Sequence, residues 1–288
     1  MRLGDAVEHR VHVGAGEVRV VTAGSGSPAV LFDSALGTPL EAWSLVVPAI
    51  AARTSVILWD RPGIGRSGPF VPLDAEGMAA AMASVIRHVG DTSVIAVGHS
   101  RGGINVVALA ACHPELIEGL VLAESSHPDQ LNRMPNIDGP VLRVARILAR
   151  APKQLAQLPA HLVRLVVRAR GDRARPGARV MADLAPAISA RLDGFVAEHD
   201  AGPALLAGTG RIVADRGFPD VPLIVLTGDE NFSDPADQAM WDSMHDELAA
   251  LSELGRHVHV ACGHEMPFST PDAVIDAITD LLEQVGRA

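Results

Sequence analysis

The order of the apolar segments constrains this chain more than any other feature of its sequence. Short runs rich in Val, Ile and Leu recur at about residues 28–32, 54–59, 92–97, 119–123, 221–227 and 257–261, each the length of a strand covered on both faces. Longer, Ala-rich stretches at about 40–52, 72–90, 101–113, 236–254 and 271–286 lie between them and carry apolar residues at helical spacing. Ahead of these, Val7 to Val13 and Glu17 to Ala23 alternate apolar and polar residues around Gly14-Ala15-Gly16, the pattern of an antiparallel hairpin. A hairpin leading into strand–helix alternation predicts an α/β fold, a mostly parallel sheet with helices on both faces.

The alternation stops between about 130 and 205. Leu, Val, Ala and Arg recur there at helical spacing, and Pro135, Pro140, Pro152, Pro159, Pro176 and Pro186 punctuate the pattern. This predicts an inserted helical lid at 130–205, with residues 1–129 and 206–288 forming the core domain. Leu155, Leu158, Leu162, Val163, Leu165, Val166 and Val167 would give the lid an apolar underside.

Composition narrows the function. With 48% apolar and 20% charged residues among 288, the chain can bury a sizeable core. No apolar run approaches the roughly 18 residues of a membrane span, and the start, Met1-Arg2-Leu3-Gly4-Asp5, does not resemble a secretory signal. A cytoplasmic protein without stable membrane insertion is expected, as a monomer or homodimer. Cys112 and Cys262 are too few for a disulfide framework and too isolated for a zinc signature, and read as buried thiols. The net charge of −10 argues against nucleic acid as a partner. Residues 131–200 depart from that average: 12 Lys/Arg against 6 Asp/Glu make the stretch +6 and leave −16 for the rest. A solvated helical surface accounts for this, as would a surface attracting anionic substrates or lipid.

The chemistry centres on Gly98-His99-Ser100-Arg101-Gly102-Gly103, a GxSxG sequence between a strand and a helix. A Ser on so tight a turn is held in a strained conformation with its hydroxyl exposed, and the glycines let neighbouring elements come close. The Arg101 amide, at the helix N-terminus, is a candidate oxyanion donor. His264, in Cys262-Gly263-His264-Glu265, follows the last strand, and imidazole suits a general base because its ordinary pKa lies near neutrality. His264-Glu265-Met266-Pro267 lacks the second His of a zinc protease motif, so no metal is expected. His9, His12, His257 and His259 read as ordinary strand residues.

On these residues the chain resembles the α/β-hydrolase superfamily over about three quarters of its length. Trp59-Asp60-Arg61-Pro62-Gly63-Ile64-Gly65-Arg66-Ser67 looks like that family's DRPGxGxS turn. Gly63, Gly65 and Gly68 also spell GxGxxG, but Pro62, Pro69 and Pro72 leave no helix for a dinucleotide to sit on. The resemblance implies Ser100 as nucleophile and His264 as base. It often places the acid three residues beyond a Gly after the penultimate strand, where this chain has the amide Asn231. A second known placement, similar to zearalenone-lactonase-like enzymes, falls on Glu124 at the end of 119–123. Glu124 is therefore the first candidate, with Asp229 as the alternative and Asp234 behind it. The second oxyanion donor would come from Asp33-Ser34-Ala35-Leu36-Gly37, at Ala35 or Leu36, where relatives often carry HGxxG. Ala35 stands where Gly is common, and a positive φ there would be strained.

The resemblance implies a serine hydrolase without cofactor, cleaving a fairly hydrophobic small-molecule ester or lactone through an acyl-enzyme. Dehalogenase and epoxide hydrolase readings are weakened, because those relatives carry Asp where this chain has Ser100. A carbon-carbon bond hydrolase, a cofactor-free haloperoxidase and a non-catalytic ligand-binding protein of the same fold remain alternatives.

Overall fold

The computed structural model describes residues 5–14, 16–135, 184, 188 and 191–286. An eight-stranded sheet runs in the order β1-β2-β4-β3-β5-β6-β7-β8. β1 (Val7–Val13) and β2 (Gly16–Ala23) form the antiparallel hairpin, and β2 also pairs antiparallel with β4 (Val56–Asp60). From β4 onward the neighbours β3 (Ala29–Asp33), β5 (Val94–His99), β6 (Ile117–Ala123), β7 (Leu223–Gly228) and β8 (Gly255–Val260) are all parallel.

The inner strands read as unbroken apolar runs because both faces are covered. Along β3, Ala29 and Leu31 enter one core cluster while Val30 and Phe32 enter the other. Along β5, Val94 and Ala96 face one side, Ile95 and Val97 the other. Each fully buried Val, Leu or Ile contributes about 1.5–3 kcal/mol of hydrophobic transfer free energy. An offset of one residue would exchange the two faces of a strand but bury the same kind of surface, so the loops and hydrogen-bond ladder must fix the register.

Helices cover the two faces. α1 (Val47–Ala51) carries Val47 and Ile50 into one cluster. α2 (Ala75–His88) starts where the Asp74 carboxylate accepts the Gly77 amide, a side-chain cap. α3 (Arg101–Cys112) lies in the middle of the other cluster. After β6 and the short α4 (Gln130–Arg133) comes α5 (Leu192–Arg216), a 25-residue helix against α2 and α3. α6 (Pro235–Ala249), α7 (Met266–Ser269) and α8 (Pro271–Val285) complete the order. α8 buries Val274, Ala277, Ile278 and Leu281, spaced i, i+3, i+4 and i+7.

Some expectations differ in detail. The stretch 40–52 is not one helix: a 3₁₀ turn at Leu40–Trp43 is separated from α1, which has Pro48 in its first turn. No helix follows Gly68 until Ala75, so the glycines of 63–68 serve a turn. Cys262 is buried but Cys112 only partly so. The apolar residues 155–167 and most of the lid expected at 130–205 lie outside the described residues. α5 runs without a break through residue 205, where the sequence places the end of the lid. No helix among the described residues is long and apolar enough to cross a membrane.

Candidate active site

The parallel strands end at one rim, where open α/β sheets bind ligands. Ser100 sits there between β5 and α3 at φ 52°, ψ −117°, a left-handed backbone costing on the order of 1–3 kcal/mol for a residue with a Cβ. Its surroundings enforce it. Ser100 N donates to Ala123 O at 3.1 Å, and Ser100 O accepts from Gly103 N at 2.9 Å and Ser126 N at 3.0 Å. A Cβ on Gly98 would lie 2.4 Å from Gly102 O, and one on Gly102 would lie 2.2 Å from Asp33 O. The glycines are thus required by the contact of α3 with β3 and with its own strand.

Three side chains from separate strand ends meet here. In the neutral tautomer that fits the contacts, His264 Nε2 accepts from Ser100 Oγ at 3.1 Å and Nδ1 donates to Glu124 Oε2 at 3.0 Å. Glu124, directly after β6, also has a positive φ of 50°. Its carboxylate is fully buried. Oε1 accepts from Gly228 N at 2.5 Å and from Asn231 Nδ2 at 2.9 Å. Burial resists its ionisation, but the hydrogen bond and charge of His264, the charge of His245 and the Gly228 amide together hold it at about 2. Burial likewise disfavours the imidazolium of His264, yet bonded Glu124 outweighs it and raises the pKa. The His264 side chain keeps 42% of its surface exposed towards the cleft.

The other acid candidates do not reach His264. Asp229 turns away and accepts from His259 Nδ1 at 2.8 Å, both side chains about half exposed. Asp234 caps α6 by accepting the Ala236 amide at 2.8 Å. Asn231, at the position where relatives often carry the acid, instead donates its amide to Glu124. His99, held neutral by burial with a pKa of about 4, donates from Nε2 to His264 O at 2.9 Å and so fixes the loop carrying that imidazole.

Ala35, Leu36, Ser100, Arg101, Glu124 and His264 all line one cavity of about 610 Å³. Ala35 is not among the residues with positive φ; in this loop that conformation falls on Gly37, at 65°. A Cβ on Gly37 would lie 2.1 Å from the Phe195 ring of α5. A buried ionic network holds the loop. Arg61 donates from Nη1 to Asp33 Oδ1 at 2.7 Å and Ser34 O at 2.6 Å, and from Nη2 to Ala35 O at 2.7 Å. Its Nε pairs with Glu198 of α5, and Glu198 Oε2 accepts the Gly37 amide at 2.8 Å. Asn105 donates to the second oxygen of Asp33 at 2.7 Å.

Sequence reasoning did not assign roles to Asn231, His99, Arg61 or Glu198. The first three stand in or beside the motifs and could have been suspected. Glu198 had no signal, because only the fold brings it to a loop more than 160 positions earlier.

Residues 24–277 match the model of the alpha/beta hydrolase family, and the chain belongs to that family. Over 112 residues it is 34% identical to a protein of Azorhizobium caulinodans that carries the name carbamate hydrolase RutD, covering 38% of this chain and 42% of that one. Over 105 residues it is 33% identical to the pimeloyl-[acyl-carrier protein] methyl ester esterase of Sodalis glossinidius, covering 36% and 39%. The matched stretch thus spans only about two fifths of these relatives. The fold is similar along nearly the whole chain to the enol-lactonase of Burkholderia xenovorans LB400, with a TM-score of 0.69 at 19% identity over 96% of this chain and all of that one.

Proposed function

We propose that the protein is a serine hydrolase that cleaves a carboxylic ester or lactone of a fairly hydrophobic small molecule. One observation carries this reading: Ser100 Oγ, His264 and buried Glu124 are joined by two consecutive hydrogen bonds of 3.1 and 3.0 Å, open to a 610 Å³ cavity. A cavity of that size falls in the range of small-molecule sites.

His264 takes the Ser100 proton as Oγ attacks the carbonyl carbon, and Glu124 stabilises the imidazolium. The tetrahedral oxyanion is held by the Arg101 amide at the start of α3 and by the amide of Ala35 or Leu36. His264 then returns the proton to the departing alkoxide, and water, deprotonated by the same imidazole, hydrolyses the acyl-enzyme. Of the stretch expected to form the lid, Leu131, Ile188, Phe195 and Pro203 line this cavity. The names of the relatives, an esterase and an enol-lactonase among them, fit acyl transfer. An epoxide substrate fits poorly, because a serine oxygen opening an epoxide would leave an ether that water does not readily hydrolyse.

Labelling by a fluorophosphonate and turnover of p-nitrophenyl acetate and butyrate test the reading. Both should occur in the wild-type chain, and Ser100→Ala should lose the label and at least about 10³-fold of the rate. Turnover that survives Ser100→Ala unchanged would falsify it.

A further inference from the structure

We infer that the Arg101 side chain is an anion anchor within the cavity, and that the substrate is an ester or lactone bearing a carboxylate separated from the scissile carbonyl by an apolar segment. The inference rests on the serine hydrolase reading for the reaction, but on the side chain of Arg101, not its amide, for the ligand.

Arg101 is 6% exposed, and it lines the same cavity as Ser100 and His264. A buried guanidinium ordinarily has a counterion and most of its five N–H groups satisfied. Here Nε is buried without a partner, and Nη1 makes one long bond, to Glu198 O at 3.3 Å. The two carboxylates nearest in the network are already taken. Asp33 accepts from Arg61, Asn105 and the Ser34 amide, and Glu198 accepts from Arg61 and the Gly37 amide. Among the described residues no carboxylate oxygen comes within 4.0 Å of Arg101.

Arg61 and Arg101 are thus unlike neighbours. Arg61 is saturated, and its charge is fixed by its partners. For Arg101, burial works against the charged form; the carboxylate charges of Glu198 and Asp33, neither of which touches it, offset this only in part, Arg61 opposes them, and the net effect still disfavours the charge, so an incoming anion has compensation left to supply. A buried polar group left unsatisfied calls for an explanation, and for a guanidinium beside the cavity a bound anion supplies one.

The remaining lining suggests what the anion is attached to. Phe195, Leu206, Phe232, Trp241 and Phe268 surround the cavity, so an alkyl or ring segment fits between the two polar ends. Of the other acidic groups there, Glu124 is engaged by His264, and Glu265 is exposed. A carboxylate matches the planar guanidinium better than a point anion does, by two parallel hydrogen bonds.

Two measurements test this. In the first, kcat/KM is compared for monomethyl and dimethyl glutarate and adipate. The wild-type chain should favour the monoanionic esters by about 10- to 100-fold, the worth of a charge-assisted hydrogen bond. Arg101→Met should lose the preference and Arg101→Lys should keep part of it. Because each ratio is taken within one variant, a general loss of activity cancels. The wild-type ratio decides even if Arg101→Met does not fold, and a wild-type enzyme that is indifferent to the charge overturns the inference. In the second, calorimetry on Ser100→Ala should show monomethyl glutarate binding about tenfold tighter than dimethyl glutarate. Equal affinities also overturn the anchor. Should Ser100→Ala retain full turnover, the serine reading falls, while a charge preference in binding would still support the anchor.

Discussion

Two carboxylate–histidine pairs stand side by side on the sheet rim, Glu124 with His264 at the end of β6 and Asp229 with His259 at the end of β7. Their separations, 3.0 and 2.8 Å, do not distinguish them. Their surroundings do. Glu124 is fully buried at a strained backbone position and takes two further strong hydrogen bonds, whereas Asp229 is about half exposed. An exposed pair of this kind is worth about 0–1 kcal/mol and is screened by salt. A buried carboxylate keeps its orientation and nearly its full field, and its histidine hands the effect on to Ser100. Proximity of acid to imidazole therefore does not set the proposed catalytic pair apart; burial and the onward contact do.

The sharpest way to break the comparison is Glu124→Gln. The amide can still accept from Gly228 at one oxygen, but its NH₂ would face His264 Nδ1 and favour the tautomer with the proton on Nε2, which cannot accept from Ser100. The rate on p-nitrophenyl butyrate should fall by about 10³- to 10⁴-fold. The pH profile adds an independent reading. The proposed base His264 can act only when neutral, so kcat/KM should rise with pH through its pKa, which Glu124 raises above the ordinary 6.5. Without that carboxylate the residual activity should rise at lower pH than in the wild type. A stopped assay from pH 5 to 9 measures both, and a variant with near-normal rate and an unmoved limb would remove Glu124 from the mechanism.

What the sequence revealed follows the same division between local and distant causes. The strands and most helices were legible because their period is written in consecutive residues, and Ser100 because its motif needs a particular strand–turn–helix context. Glu124 was legible as the residue after an apolar strand, but not distinguishable by pattern alone from Asp229, since burial is decided by α6 and the loop carrying Asn231. The 40–52 helix was over-read: apolar spacing continues across Ser44, while Pro48 and the 3₁₀ turn break the ladder. Glu198 was invisible, because a carboxylate on a long helix reads as solvated until the helix is docked on the Gly37 loop.

Glu198 separates burial from contact with histidine. It is as enclosed as Glu124, at 3% exposure, yet its partners are Arg61 and the Gly37 amide. Glu198→Gln should therefore loosen the candidate oxyanion loop without touching the base. About a tenfold fall in kcat is expected for donors displaced but not removed, with the pH limb of His264 in place. Stability should fall too, by about 3 kcal/mol, because Arg61 loses one of its two buried counterions. Thermal melts and steady-state kinetics across pH measure these; a shifted limb would mean that Glu198 acts on His264 after all.

Asp229→Asn is expected to have the smallest effect, and it completes the contrast. It removes the charge facing His259 and keeps the backbone bond from the residue 229 amide to Val260 O, which ties β7 to β8. The lost pair is half exposed and makes no contact with Ser100, His264 or Glu124, so kcat/KM should stay within about twofold and stability within about 1 kcal/mol. Raising salt to 0.5 M should shrink even that difference, since exposed pairs are screened. A rate loss comparable to that of Glu124→Gln would mean that the rim rearranges during turnover to bring the second carboxylate to His264, and the distinction drawn from burial would then hold only for the resting enzyme.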